Sequence, residues 1–299
     1  MNSKLNQIVI SASRRTDIPA FYMTWFMKQL EKGFFEVTNP YNRKVSIVPA
    51  TADKVHTIVF WSKNFDPFIK GRYGEKILKM GYNIFFNYTI NSKSYLLEPN
   101  ILSLNKRFEQ LSYLCKNFGP ECINWRFDPI CLFKIKSTVY NNLNDFSLIA
   151  NMVSQFNINR CITSFMDSYL KITKRTATIK DFSFIYPDID KQKEIILKMK
   201  KKLDSLKINL YTCCEKKLIN ALPKNSFINK SSCIPNDLLM KLFGGNLSLK
   251  KDYGQRISKG CGCMTSVDIG SYSLHPCYHN CLFCYANPSP KQKYNHKKT

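Results

Sequence analysis

The sequence predicts an α/β fold of parallel strands, a (β/α) barrel or partial barrel. Short apolar runs ending in polar residues recur six times, and segments of helical periodicity lie between them. The length of 299 residues suits such a barrel as one unit. A doubly wound sheet is the other solution to the same alternation.

The six runs are Ile8–Ala12, Thr57–Trp61, Asn83–Ile90, Glu121–Phe127, Arg160–Phe165 and Lys207–Thr212. Near-continuous apolar runs of this length suit strands buried on both faces of a parallel sheet. Between them, Pro19–Lys32 reads as a helix with Asp17 as N-cap, Phe21, Trp25, Phe26 and Leu30 on one side, and Gly33 as its stop. Asn100–Asn117, Asp145–Phe156 and Asp190–Leu206 follow the same logic. Residues 213–265 break the rhythm with five cysteines and many turn residues, including Gly244-Gly245. Ser266–Tyr272 then offers one more strand. The expected organisation is a main barrel portion over 1–212 and a cysteine-rich insertion over 213–265. Residues 266–286 supply a last strand and cysteine loop that close the same barrel, and 287–299 form a basic tail.

Hydrophobic residues make up 44% and charged residues 22%, which is globular composition and excludes a disordered chain. The N-terminal apolar stretch is too short for a signal sequence, and charges interrupt every apolar run, so a soluble, cytoplasmic protein with no membrane partner is expected. In that compartment clustered cysteines point to metal rather than disulfides. Of the 12 cysteines, Cys115, Cys122, Cys131 and Cys161 are scattered and read as small buried hydrophobes. The rest lie between Cys213 and Cys284. The formal charge of +24 (45 basic, 21 acidic) suits an anionic partner, nucleic acid among them. Most of the basic residues are Lys, as an AT-rich genome would also produce, and only Lys198–Lys202 and the tail form tight blocks.

The strongest chemical signal is Cys277-x3-Cys281-x2-Cys284. Three closely spaced thiolates can hold three corners of a [4Fe–4S] cube and leave the fourth iron open. With Phe283 just before the last cysteine, the pattern resembles the radical S-adenosylmethionine (SAM) signature. That resemblance implies an open iron that chelates SAM and one-electron cleavage to methionine and a 5′-deoxyadenosyl radical. It also implies Phe283 beside the adenine, and an electron donor such as flavodoxin or ferredoxin. More widely, SASRRTDIPAFY (11–22), NPYN (39–42), FWSKN (60–64), WRFDPI (125–130), TCCE (212–215), KDYGQR, CGC, SVDIGSY and CYHNCLFCYAN resemble one uncharacterised family. It is a domain of unknown function whose C-terminal cysteines look like those that open radical SAM domains.

Radical SAM enzymes usually carry this loop near the N-terminus, after the first strand. Its place here implies a circularly permuted core, in which Ser266–Tyr272 stands as first strand and Ile8–Ala12 as second. The helix expected after the loop is poorly supported by the tail sequence. The family resemblance also favours Cys213, Cys233, Cys261 and Cys263 as ligands of a second, auxiliary [4Fe–4S] cluster, with Cys214 as the spare. A four-cysteine zinc site is the alternative. Zinc at the C-terminal loop would need His275 or His279 as fourth ligand, and these histidines are otherwise expected to face solvent or bond the backbone.

Polar residues at strand ends are the candidates for SAM and substrate. Arg14 or Arg15 would take the SAM carboxylate. Asp17 would bind cofactor or cap the helix, and Arg126 and Asp128 would bind ribose and carboxylate or pair with each other. Lys63, Asn64, Asn87, Thr89, Ser164, Asp167 and Glu215 complete the set. The expected function is a radical SAM enzyme with an unknown substrate. The rival is a non-catalytic zinc or iron–sulfur protein that binds nucleic acid.

Overall fold

A computed structural model describes residues 7–40 and 42–286. The basic tail, and any helix after the cysteine loop, lie outside the described residues. Eight strands form one sheet: β1 (Ile8–Ser11), β2 (Val55–Ser62), β3 (Asn83–Thr89), β4 (Ile123–Ile130), β5 (Arg160–Phe165), β6 (Asn209–Thr212), β7 (Asn229–Lys230) and β8 (Val267–Asp268). Their order is β7-β6-β5-β4-β3-β2-β1-β8 and every pairing is parallel. From β1 to β7 the order never reverses. A doubly wound sheet reverses at a switch point. A sheet that winds one way with right-handed crossovers puts its helices on one face, as a barrel wall does. No hydrogen-bonded pairing closes β7 onto β8 among the described residues, so the sheet is open.

The helices are α1 (Ile18–Phe21), α2 (Met23–Lys32), α3 (Asp66–Lys70), α4 (Tyr73–Lys79), α5 (Leu104–Phe118), α6 (Phe146–Gln155), α7 (Leu170–Thr176), α8 (Ile189–Asp204), α9 (Lys216–Ala221) and α10 (Asn236–Phe243). Local chemistry sets their ends. Asp17, Ser103 and Asp188 accept from backbone N–H groups three residues on, at 3.0, 3.4 and 2.8 Å. Gly33 stops α2 at φ 80°, a left-handed conformation that costs glycine nothing. The helix expected over Pro19–Lys32 is broken at Tyr22.

Period-two alternation sorts the strand side chains between two cores. Ile58 and Phe60 of β2 and Ile84 and Phe86 of β3 face the helices, packing with Phe26, Leu111 and Ile149. Burying each such side chain contributes about 1.5–3 kcal/mol. Val9, Val59, Phe85 and Ile162 face the other way and pack against Ile234, Leu239 and Leu247. The cysteine-rich insertion expected over 213–265 therefore covers the inner face of the sheet, and contributes α9, α10 and β7. Asn87 donates to the Cys233 carbonyl at 3.1 Å, and His56 Nε2 lies 2.8 Å from the Gly244 carbonyl.

Two antiparallel additions lie outside the sheet: a hairpin of Phe34–Thr38 with Val45–Pro49, and a three-stranded ribbon of Leu132–Ile135, Thr138–Asn141 and Phe182–Ile185. The lysine-rich run 198–202 lies on α8, where Lys198 pairs with Glu194 and Lys200 with Asp204. No helix is long and apolar enough to cross a membrane among the described residues.

Candidate active site

The carboxyl ends of the strands meet the cysteine loop at one mouth. β8 lies beside β1, with Ile10 opposite Val267 and Ser11 opposite Asp268, so the chain leaves β8 directly above the end of β1. The loop that follows is held from four directions. Tyr22 Oη donates to the Pro276 carbonyl at 2.6 Å, and Asn100 Nδ2 to the Tyr278 carbonyl at 2.8 Å. Leu282 N–H donates to the Leu97 carbonyl at 2.8 Å. Arg175 of α7 reaches the carbonyls of Leu282 and Cys284 at 2.9 and 3.0 Å. Asn280 takes the left-handed conformation (φ 57°), tolerated best by Asn among side-chain-bearing residues, at the turn before Cys281.

Asp17 ties the loop to the sheet. Its carboxylate caps α1, accepts from Ser62 Oγ at 2.9 Å and Lys63 N–H at 3.0 Å, and meets His279 Nε2 at 2.7 Å. Both side chains are buried. Of the two alternatives expected for His275 and His279, facing solvent or bonding the backbone, the first does not hold, since both rings are buried. His275 packs 4.1 Å from the Trp25 ring, and burial pushes its pKa down to about 4. The Asp17 carboxylate holds the loop in place, a role beyond the helix cap.

Cys277, Cys281 and Cys284 open on a cavity of about 150 Å³, which shares walls with a second of about 320 Å³. Burial pushes the Cys277 and Cys281 thiols up. Lys63 pairs with the buried Glu98 carboxylate, which lies 3.8 Å from the Cys281 sulfur, and its ammonium sits 5.4 Å from the Phe283 ring centre. Burial opposes the Lys63 charge, but Glu98 and Cys281 outweigh it and raise its pKa.

Arg14 lines both spaces. It donates to Asp268 at 3.0 Å and to Asp252 and Ser266 at 3.3 Å. Its Nη2 is buried without a partner among the described residues, as are Ser13 Oγ and Thr16 Oγ1. These orphaned polar atoms lie at the cavity that the three thiols line, where the polar groups of a bound molecule, a carboxylate among them, would satisfy them. Arg15 does not reach the cavity. It turns to the carbonyls of Thr38 and Gly270, both at 3.2 Å. Arg126 joins Asp128 at 2.5 Å and the Cys233 sulfur at 2.7 Å. Burial opposes the Arg126 charge, and Asp128, Cys233 and Cys213 raise its pKa despite that.

The larger cavity brings together Asp128, Ser164 and Asp167 from the strand ends, with Phe283 and Tyr285 from the loop. Asn64 and Glu215 stay out of it: Asn64 accepts from Gln110 at 3.0 Å and Glu215 from the Phe165 N–H at 2.8 Å. Cys213, Cys214, Cys233, Cys261 and Cys263 form part of its wall. Among the described residues, no three or more His, Cys, Asp or Glu side chains stand already disposed as a metal site. Sequence reasoning missed Glu98, Arg175 and Asn100. They belong to segments far from any cysteine, and no local pattern marks them.

The sequence profile described as "Domain of unknown function (DUF1848)" matches residues 9–286. The chain belongs to the DUF1848 family. No curated protein and no solved structure matches it. The profile takes in β1 and the cysteine loop together, so the mouth of the sheet lies wholly within the DUF1848 region.

Proposed function

We propose that the chain is a radical SAM enzyme whose cluster is held by Cys277, Cys281 and Cys284. The observation that carries this reading is the convergence of these thiols, at the carboxyl end of a parallel sheet, on a cavity edged by unpartnered Ser13 Oγ, Arg14 Nη2 and Thr16 Oγ1. A bound [4Fe–4S] cluster would supply the electron for reductive cleavage of SAM, with hydrogen abstraction from a substrate as the outcome. An electron donor of the flavodoxin or ferredoxin type fits this chemistry.

The chain's own residues bind and orient. Arg14 offers its free guanidinium nitrogen to a carboxylate, held in aim by Asp268 and Asp252. Phe283 presents a buried ring to an adenine. Asp17 and His279 fix the loop, and Arg175 draws in its carbonyls. Asp128, Ser164 and Asp167 form the polar wall on which a substrate would rest. The order β8-β1-β2 supports a permuted core, in which β8 stands where the first strand of such a domain would.

The test is anaerobic reconstitution with iron and sulfide, followed by dithionite-driven SAM cleavage read as 5′-deoxyadenosine. The wild-type chain is expected to form it and Cys281→Ala to fall to background. Cleavage retained by Cys281→Ala would overturn the assignment.

A further inference from the structure

The five cysteines of residues 213–263 form a closed ring of thiols. Cys213 Sγ lies 3.7 Å from Cys214 Sγ and 3.8 Å from Cys233 Sγ. Electrostatic interactions link Cys214 with Cys261, Cys261 with Cys263 and Cys263 with Cys233, and all five thiols border the larger cavity. The ring draws together the end of β6, the segment before α10, and the turn before β8.

Two features show that this convergence is built. Adjacent residues of a strand point to opposite faces. The strand ends at Thr212, and just beyond it Cys214 takes the left-handed conformation, φ 62°, with its thiol 3.7 Å from that of Cys213. Such a backbone is uncommon for a side-chain-bearing residue, and strain of this kind persists where the surrounding structure requires it. Second, three guanidinium groups attend the sulfurs. Arg126 donates to Cys233 at 2.7 Å, and Arg14 and Arg256 border the same cavity wall as the five cysteines. Each of these guanidinium groups also pairs with a carboxylate, Arg14 with Asp268, Arg126 with Asp128 and Arg256 with Asp167, and four thiolates on a divalent ion would set two further negative charges beside them.

We propose that four of these five thiols hold a single tetrahedral metal ion of the Zn²⁺ or Fe²⁺ class. A tetrahedral ion with metal–sulfur bonds of about 2.3 Å sets its sulfurs about 3.8 Å apart. The two sulfur–sulfur distances above match that edge. A [4Fe–4S] core stands between its thiolates and holds them well beyond contact. The single ion would stand in place of the second cube expected from the sequence, and Cys214 lies against Cys213 as the fifth thiol of the group. No three of these side chains are already disposed around a common centre, so ligation requires the thiols to turn toward one. The ion would pin the segment that covers the inner face of the sheet to the end of β6. Loss of any two of the five leaves three thiols, too few for four-thiolate ligation.

The inference stands independently of the C-terminal cluster, and the experiment keeps the two apart by using Cys281→Ala. That variant, purified anaerobically and stripped of metal, is titrated with Co²⁺ as a spectroscopic probe. One Co²⁺ per chain with the intense visible bands of a tetrahedral tetrathiolate is expected. Zn²⁺ should displace it and raise the thermal midpoint, as a ligand of the folded state must. Adding Cys233→Ala and Cys263→Ala should abolish the bands. Circular dichroism checks that this variant keeps its secondary structure, and Cys214→Ser, with four thiols left, should retain them. Absence of Co²⁺ binding, an octahedral spectrum, or about four irons per Cys281→Ala chain after reconstitution would overturn the single-ion site.

Discussion

Asp17 is the residue on which the mouth of the sheet turns. One buried carboxylate accepts from the α1 backbone, Ser62 and Lys63, and faces His279 at 2.7 Å. A buried group that loses a partner costs about 1–3 kcal/mol. His279→Ala is therefore expected to lower the unfolding free energy, read by urea titration, by that amount, and to reduce iron bound per chain by freeing the cysteine loop. A urea midpoint equal to wild type would show that the contact holds nothing. The sequence marked Asp17 as a cap or a ligand, because its place before an apolar helix is a local signal. The partnership with His279 spans 262 positions and has no local trace. Arg14 and Arg15 illustrate the same limit. Both follow β1, yet only Arg14 reaches the cavity, since neighbouring side chains diverge at a strand end.

At the scale of elements, legibility follows burial. The six long apolar runs are strands in the structure because both of their faces are covered, and β2 is buried almost throughout. The strand Val45–Pro49 (VSIVP) went unread although it is β-branched: the run is short, ends in proline, and four of its five residues are exposed, so it belongs to no buried sheet. The short helices α9 and α10 were lost among turn residues for a related reason, as each buries only one or two side chains. The turn Cys261-Gly262-Cys263 was legible as a motif but not as a packing device. A Cβ on Gly262 would lie 2.3 Å from the Ser231 carbonyl oxygen, which is backbone and cannot swing aside. Gly262→Ala is expected to cost about 1–3 kcal/mol through overpacking, and to separate the ring thiols. Denaturant titration reads the first effect and Co²⁺ absorbance the second. An alanine variant with both unchanged would show that the turn is slack.

For the whole molecule, strand order carries the argument. Seven strands follow one another across the sheet in chain order, and β8 joins from the far end of the sequence beside β1. Pairing depends on neighbourhood in the sheet rather than on chain order, so residues 266–286 should work equally well ahead of β1. A chain that starts at Ser266, runs through Ala286 into a Gly/Ser linker, continues from Gln7 and ends at Thr265 tests this. The cysteine loop returns to the carboxyl end of β1, where Tyr285 Oη lies 3.5 Å from the Arg14 carbonyl. The linker must therefore run back along the full length of β1. At about 3.3 Å per extended residue, ten or more linker residues give ample reach, and the entropic cost of lengthening it grows slowly. The permuted chain should melt cooperatively, with a circular dichroism spectrum matching the parent, and should bind the same amount of iron after reconstitution. A chain that folds but cannot load iron would mean that the β8–β1 edge needs the native connection from residues 213–265, and that the permuted-core reading describes sequence order alone.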